Sequence, residues 1–556
     1  MPTRQEMWDR LGSEVQLLVI GGGINGAGIA RDAARRGLTV ALVERGDVAS
    51  GTSSRSSKLV HGGLRYLEQY EFGLVFEAVS ERRILLDIAP HLVNPLGFLF
   101  PVYEGDRRSL ATIRAGMVLY DGLSLFRSPK RHTTLTVAEI DELEPALTTK
   151  ALKGAPLYYD CSTDDARLTL ENMLDAVDHG AVVATHAEVT GFRRDEHGRL
   201  DGATVRDTLT GKVKEIGACA VINATGPWTD RLLELAAGEE RPALLRPTKG
   251  VHIVVPHGRL PVNHSVVCFH PDDGRVLFAI PWGDSTYIGT TDTDYDGDPN
   301  DVHATREDVE YLLRCTDAYF PDSAVTGDDV ICTWAGLRPL VLEPTSGEVN
   351  ESSVSREHRI DVGQNGLVTV TGGKLTTYRL MANETVDKAV KVLRICGHLE
   401  GPLKNPRTDQ APLPGAVHWP DDDDHDAVAG EIREVAGQTI TQPTARLLAD
   451  TYGMRGRDVA RLVRRDGALA EPLVAGRPEI LAQVDWAVEQ EFSASVLSVL
   501  KQRTQVYYRD PDQGLGATAR VAGRMATLLD WTAEQRAASV GEYEAEVAAS
   551  RRWRNE

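Results

Sequence analysis

The run Gly21-Gly22-Gly23-Ile24-Asn25-Gly26, followed by Glu44, is the part of this sequence whose residue types and spacing most directly imply chemistry. Gly21 suits a tight turn, Gly23 leaves bare backbone for a pyrophosphate, and Gly26 with Ala30 lets a helix pack closely on a strand. An acid at Glu44 can accept both hydroxyls of a ribose. Together they read as a dinucleotide cradle, with the phosphates at a helix N-terminus. Just beyond lies a hydroxyl-rich stretch, Ala49 to Lys58, and then His61-Gly62-Gly63. Thr52, Ser53, Ser57, His61, Gly62 and Gly63 are therefore candidates to hold a second phosphate and a ribityl chain. Two more small-residue bends occur, Ala224-Thr225-Gly226 and Gly372-Gly373, the latter continuing into Leu375 and Thr376. Only small residues fit between a strand and a cofactor at the first bend. The second opens a helix whose N-terminus can stabilise the negative charge of a reduced isoalloxazine ring. Three such bends in one chain favour a flavin over a nicotinamide.

These residues need particular elements to hold them. Val15 to Ile20 reads as a buried strand, the glycines turn it into a helix that closes at Gly37, and Leu38 to Val43 reads as a parallel partner strand ending at Glu44. Ala220 to Asn223 and Val368 to Thr371 are the apolar strands that lead into the other two bends. Strand-like and helix-like segments alternate as far as about Ile395, which implies an α/β region with some antiparallel strands. Residues 401–426 carry several prolines and the acidic run Asp421 to Asp424, a composition expected of a linker or exposed crossing. The acidic run reads as solubilising rather than metal-binding. From about Ala427 the apolar residues recur at helical spacing, as in Ile480-Leu481-Val484-Ala487-Val488, so residues 427–556 are expected to form a separate helical domain.

Composition narrows the function classes. With 556 residues and a hydrophobic fraction of 42%, the chain can bury the cores of two or three domains. Its six cysteines are scattered, with no Cys-x-x-Cys and no cluster of metal spacing, so no metal is expected and the thiols should be reduced, as in a cytoplasmic protein. A net charge of −20 argues against nucleic acid and against a simple pull toward anionic lipid. The basic stretch from Arg127 to His132 is a local exception, and a solvated loop is its simpler reading. No signal peptide or membrane span can be drawn, which leaves attachment to the surface of the cytoplasmic membrane as the membrane association to expect.

Four stretches carry a resemblance: GGGINGAG at Gly21 to Gly28, SSRSSKLVHGGLRY at Ser53 to Tyr66, NATGPW at Asn223 to Trp228, and GGKLTTYR at Gly372 to Arg379. They closely resemble the FAD-dependent glycerol-3-phosphate dehydrogenases, as do Pro281-Trp282, Ile288 to Asp292 and Gly336 to Leu340. The resemblance implies FAD as cofactor, sn-glycerol 3-phosphate as substrate and dihydroxyacetone phosphate as product, with electrons passed to a membrane quinone. It implies an FAD-binding Rossmann-like domain of the D-amino-acid-oxidase type, drawing on residues 14–85, 155–240 and 335–400. An antiparallel-sheet substrate domain would take 86–154 and 241–334. A homodimer is also expected.

A phosphate dianion needs cations, and guanidinium forks match its oxygens bidentately. By resemblance, Arg65 and Tyr66 line the substrate pocket, while Arg338, Arg356 and Lys374 contact the phosphate or the oxygens near the flavin. Taken singly, each cation is compatible with a surface ion pair; together, the functional reading is favoured for Arg65, Arg338 and Lys374, while for Arg356 the two readings stay level. Hydride removal from a carbinol carbon needs a base for the hydroxyl proton. His252 is the first candidate, with His61 and Lys374 as competitors, although a core histidine satisfied by neighbours fits its strand position equally well. Thr290, Thr291 and Asp292 are explained as well by turn hydrogen bonds and stay outside the catalytic set. The rival readings are an oxidase that passes electrons to O2 and makes H2O2, an amine or amino-acid oxidase of the same flavin superfamily, and a flavin-binding protein without catalysis.

Overall fold

The computed structural model describes residues 2–12, 14–63, 70–124, 129–342 and 358–556. Arg65, Tyr66 and Arg356 lie outside them. The fold is α/β, with a first sheet whose central strands are parallel, a mixed second sheet and a C-terminal helical region. In the first sheet Val15–Ile20 pairs in parallel with Val213–Asn223 on one side and Val40–Val43 on the other, and Val40–Val43 pairs with Val182–Ala184. Val368–Thr371 adds in parallel beyond Val213–Asn223. The short apolar runs form strands here because both of their faces are covered. The helices Ile24–Arg35, Asp165–Asp178 and Tyr378–Ile395 share one core with the sheet, built from Leu17, Ala30, Met173, Ile222 and Val386 among others.

Among the described residues the second sheet has eleven strands. Its organising strand is Leu245–Pro256, which pairs antiparallel with Cys332–Val341 and with Ser285–Gly289. That register sets His252 opposite Trp334, and Thr248 opposite Arg338.

Three expected boundaries move. Residue 155 falls inside Leu152–Thr163, which pairs with Val93–Leu99 and Leu59–Val60 of the second sheet. Residue 335 falls inside Cys332–Val341 of that same sheet, and the strand Leu59–Val60 already belongs to it, well before the expected boundary at 85. Strand pairing decides these positions, and pairing is non-local.

The stretch 401–426 is a strap, exposed over much of its length as expected of a crossing but tied to the body of the protein at several points. Leu413 is fully buried, Arg31 donates to the Ala411 carbonyl at 2.7 Å, and the Gly415 N–H donates to Glu171 at 2.8 Å. Prolines lack the N–H that a ladder needs, so charged side chains of the neighbouring helices meet backbone groups of this segment instead. Within the acidic run, Asp424 caps the helix His425–Val435, accepting from the Asp426 and Ala427 N–H groups at 2.9 Å. The C-terminal helices are also less separate than expected. Val428 to Trp486 build a core of their own, but Val499, Leu500, Tyr507, Tyr508, Val521 and Tyr543 share a core with Phe98, Tyr158, Val254 and Trp334 of the second sheet. All six cysteines are unpaired, and among the described residues no helix is long and apolar enough to cross a membrane.

The strap covers His91, whose ring is fully buried with both nitrogens lacking hydrogen-bond partners among the described residues. Burial, with Arg167 nearby, lowers its pKa from 6.5 to about 3. The folded chain thus keeps His91 neutral while the unfolded chain protonates it below pH 6.5, so this site costs stability as pH falls from 6.5 toward 3. Between pH 7 and 5 the loss is about 2 kcal/mol. Thermal melts across that range should show a shallower acid slope for His91→Leu than for the wild type.

Candidate active site

The parallel strands of the first sheet end together at Gly21, Glu44, Ala224 and Gly372, the edge at which ligands enter open α/β sheets. A cavity of ≈ 390 Å³ lies there, lined by Gly21, Gly23, Glu44, Ser53 and the bend Ala224-Thr225-Gly226. Glu44 is held in place by backbone, accepting from the Gly22 N–H at 2.6 Å and the Gly46 N–H at 2.8 Å. Burial raises its pKa, against the pull of those two donors. Gly23 caps the helix Ile24–Arg35 without any side-chain cap bond, and Ser53 Oγ accepts from the Ile24 N–H at 2.9 Å. Gly26 is beneath the cavity wall instead of on it: a Cβ there would meet the Gly21 carbonyl oxygen at 1.9 Å.

A second cavity, of ≈ 560 Å³, opens onto the second sheet. Thr52, Gly372, Gly373, Lys374 and Leu375 line both cavities and form the seam between them. Ser57, His61, Gly63 and Thr376 line only the larger one. Gly62 lines neither; its N–H donates to Tyr120 OH at 3.0 Å and Asp160 Oδ1 at 3.2 Å, and a Cβ there would collide with the Tyr120 oxygen at 2.2 Å. Gly62 is small so that this buried Arg82–Asp160–Tyr120 network can close around it.

His252 and Arg338 both line the larger cavity, carried there by adjacent strands. The His252 ring stacks on Trp334 at 4.7 Å, its Nε2 is 2.9 Å from Ser57 Oγ, and its Nδ1 has no hydrogen-bond partner among the described residues. Burial, reinforced by the positive charges of Arg338 and Lys58, pushes its pKa well below the usual histidine range, so the ring is neutral. Lys58 is itself buried against Trp282, Trp334 and Tyr508, with its charge met by Asp165 at 2.6 Å. Arg338 is clamped by Asp292 Oδ1 at 3.0 Å, Thr290 Oγ1 at 3.2 Å and the Thr291 carbonyl at 3.1 Å. It lies flat against the neighbouring strand because residue 250 has no side chain; a Cβ there would meet an Arg338 nitrogen at 2.5 Å.

Thr290 and Asp292, which sequence alone explains by turn hydrogen bonds, line this cavity, as do Arg55, Arg108 and Arg275, to which the sequence motifs assign no role. With Arg338 and Lys374 the described residues of the wall include five cations against two carboxylates, Asp160 and Asp292, in a protein of net charge −20. That balance of charge suits an anion.

Residues 16–379 match the model of the FAD dependent oxidoreductase family, and residues 406–536 match the C-terminal domain of alpha-glycerophosphate oxidase. A glycerol-3-phosphate dehydrogenase of Mycobacterium leprae is 39% identical over 554 residues, covering 98% of this chain and 90% of its own. The chain belongs to the FAD-dependent glycerol-3-phosphate dehydrogenase family. A solved glycerol-3-phosphate dehydrogenase from Bacillus halodurans, complexed with FAD, superposes with a TM-score of 0.77 at 33% identity, over 97% of this chain and 95% of its own. An alpha-glycerophosphate oxidase of Streptococcus pneumoniae is 35% identical over 96% of this chain and 95% of its own.

FAD is the cofactor of this family member, and the two joined cavities fit it. The smaller is a cradle that a Cβ would fill, since one on Gly21 would meet the Ala224 carbonyl oxygen at 2.6 Å. It has an acid for a ribose, a helix N-terminus for phosphate, and a seam of glycines leading to the cationic chamber.

Proposed function

We propose that this dehydrogenase-family protein oxidises sn-glycerol 3-phosphate to dihydroxyacetone phosphate and delivers the electrons to a quinone at a membrane surface. The observation that carries the substrate reading is the cationic wall of the larger cavity, placed against the seam where the flavin end of FAD would lie. Gly21, Gly23, Glu44, Thr52, Ser53 and the bends at Ala224 and Gly372 are the residues assigned to hold FAD, with Gly26 acting from below. Bound FAD supplies the hydride acceptor.

Arg338 is assigned to the substrate phosphate, its fork held open by Asp292 and Thr290. Lys374, at the seam, is assigned to the oxygens nearer the reacting carbon. The hydroxyl proton is assigned to His252 at Nε2, the ring atom that meets Ser57 on the cavity wall. A neutral imidazole is in the correct state to take it. A phosphate dianion beside Arg338 also cancels part of the positive field that weakens this base, so substrate binding strengthens it. Trp334 keeps the ring plane fixed throughout.

Support for a membrane-borne acceptor comes from the mouth of the same cavity. The helices Phe72–Ile88 and Leu110–Leu123 expose Phe72, Phe76, Val118 and Leu119 beside an exposed Tyr70, and the exposed cations Arg107, Arg114, Lys130 and Arg131 lie close in sequence to them. An apolar face with basic residues suits the surface of an anionic bilayer, even on an acidic protein. Tyr70 and Leu119 also line the cavity, whose wall continues through Ile113, Met117, Phe100 and Phe269. That apolar wall is suited to a quinone ring.

Anaerobic mixing with glycerol 3-phosphate should bleach the flavin, and quinone in vesicles containing anionic lipid should restore its colour far faster than dissolved oxygen does. Absence of bleaching rejects the substrate. Stoichiometric peroxide with no quinone reduction reassigns the acceptor to oxygen.

A further inference from the structure

The loop joining the strand Val40–Val43 to the short helical turn Thr52–Ser54 has an inner and an outer face. Inside, it wraps the glycine turn: Glu44 accepts from the Gly22 N–H, the Ala49 N–H donates to the Gly22 carbonyl at 3.0 Å, and Ser53 accepts from the Ile24 N–H. Outside, the C-terminal region grips it at both ends. Before Thr52, Arg503 forks onto Asp47, Nη1 to Oδ2 at 2.9 Å and Nη2 to Oδ1 at 3.0 Å, and Nη2 also donates to the Glu491 carbonyl at 2.8 Å. After Ser53, Tyr508 OH donates to the Ser54 carbonyl at 3.4 Å, and its ring lies 5.2 Å from Lys58 Nζ.

Arg503 closes a π-helical turn, Ser498–Arg503, which is finished by Thr504: its N–H and Oγ1 both bond to the Val499 carbonyl, at 3.0 and 2.8 Å. Turns of this kind interrupt the α-helical register and are frequent at functional sites. Arg503 and Asp47 are both buried, and a buried ion pair contributes little net stability compared with an apolar contact of the same size. What the pair does supply is a fixed geometry for Asp47, and therefore for the loop that carries Thr52 and Ser53.

We propose that Arg503, seconded by Tyr508, is a positioning residue for FAD, and that the C-terminal helical region serves to hold the Glu44 to Ser54 loop in its cofactor-binding shape. The inference rests on the glycine-lined cavity being the FAD site. FAD binding and docking of the C-terminal region then form one linked equilibrium, each strengthening the other by the same factor.

The test titrates deflavinated full-length protein with FAD and follows flavin fluorescence, alongside thermal melts. Uptake of FAD by the wild type and its loss in Gly26→Ala establish the cavity independently of Arg503. Arg503→Met should then weaken FAD binding by about ten- to a hundredfold. Arg503→Lys, which keeps the charge and loses the fork, should recover part of that loss. Asp47→Asn combined with Arg503→Met should lose less than the product of the two single effects. Arg524→Met is the control, since it breaks a pair with Asp485 inside the C-terminal helices, away from the loop; its melting temperature should fall while its FAD affinity stays at the wild-type value. FAD should also raise the melting temperature of Arg503→Met less than that of the wild type at equal concentration. If Arg503→Met melts early like the control yet binds FAD as the wild type does, Arg503 is a strut of the fold alone and the proposal is overturned. Should Arg503→Met fail to fold, Asp47→Asn and Arg503→Lys carry the same comparison of affinity against melting temperature.

Discussion

Replacing Arg338 with methionine is expected to lower kcat/KM for glycerol 3-phosphate by about 10²- to 10³-fold, with FAD content unchanged. Two effects add. The phosphate loses its guanidinium fork, and Asp292, whose side chain is only 14% exposed, loses the Arg338 cation that meets it at 3.0 Å, which makes the chamber a dianion must enter less positive. Arg338→Lys should recover part of the loss, because the charge returns to a point near Asp292 but the planar fork does not. The loss should appear in kcat as well as KM, since the phosphate anchor fixes where the carbinol carbon sits relative to the flavin and His252. Steady-state kinetics and the amplitude of anaerobic flavin reduction measure both. A change smaller than about threefold would place the phosphate on another part of the cationic wall.

What the sequence makes legible here is local. The turn Gly21 to Gly26, its flanking strands and the helix that follows are set by neighbours within one supersecondary unit, so glycine spacing and apolar runs suffice to locate them. Gly62 shows the opposite situation. From sequence it belongs with His61 and Gly63 as a backbone approach to a cofactor, but the group crowding it is Tyr120, brought by a distant helix. Thr290 and Asp292 fit a turn equally well until Arg338 arrives from another strand and turns them into its clamp. The domain boundaries at 155 and 335 were illegible for the same reason: an apolar strand announces that it is buried, not which sheet buries it. The C-terminal helices share that ambiguity. Their apolar spacing requires a covered face, and only the fold shows that part of it is covered by the sheet carrying His252 and Arg338.

Local neighbours make Gly26 the most crowded of the described glycines. A methyl group there would stand 1.9 Å from the Gly21 carbonyl oxygen and 3.1 Å from the Gly21 carbonyl carbon. Relief requires the helix Ile24–Arg35 and the strand Val15–Ile20 to separate by roughly 1 Å, a movement that close-packed interiors resist at a cost of about 1–3 kcal/mol. That movement takes place within the turn meant to hold a pyrophosphate, so it disturbs the cradle more than the fold. Gly26→Ala is therefore expected to purify without yellow colour, to take up no FAD on titration and to melt several degrees early. Gly28→Ala is the comparison that separates space from propensity. It lies in the same helix, where alanine is intrinsically favoured over glycine by about 1 kcal/mol, and the atoms nearest its Cβ would be side-chain atoms of Tyr378 at 3.0 Å and Ala382 at 3.1 Å on the neighbouring helix. Gly28→Ala should keep its FAD with a small change in melting temperature. Absorbance at the flavin band relative to protein, read on both variants after the same purification, decides the matter: a fully yellow Gly26→Ala would mean that the turn tolerates a methyl group and that the phosphates are held elsewhere.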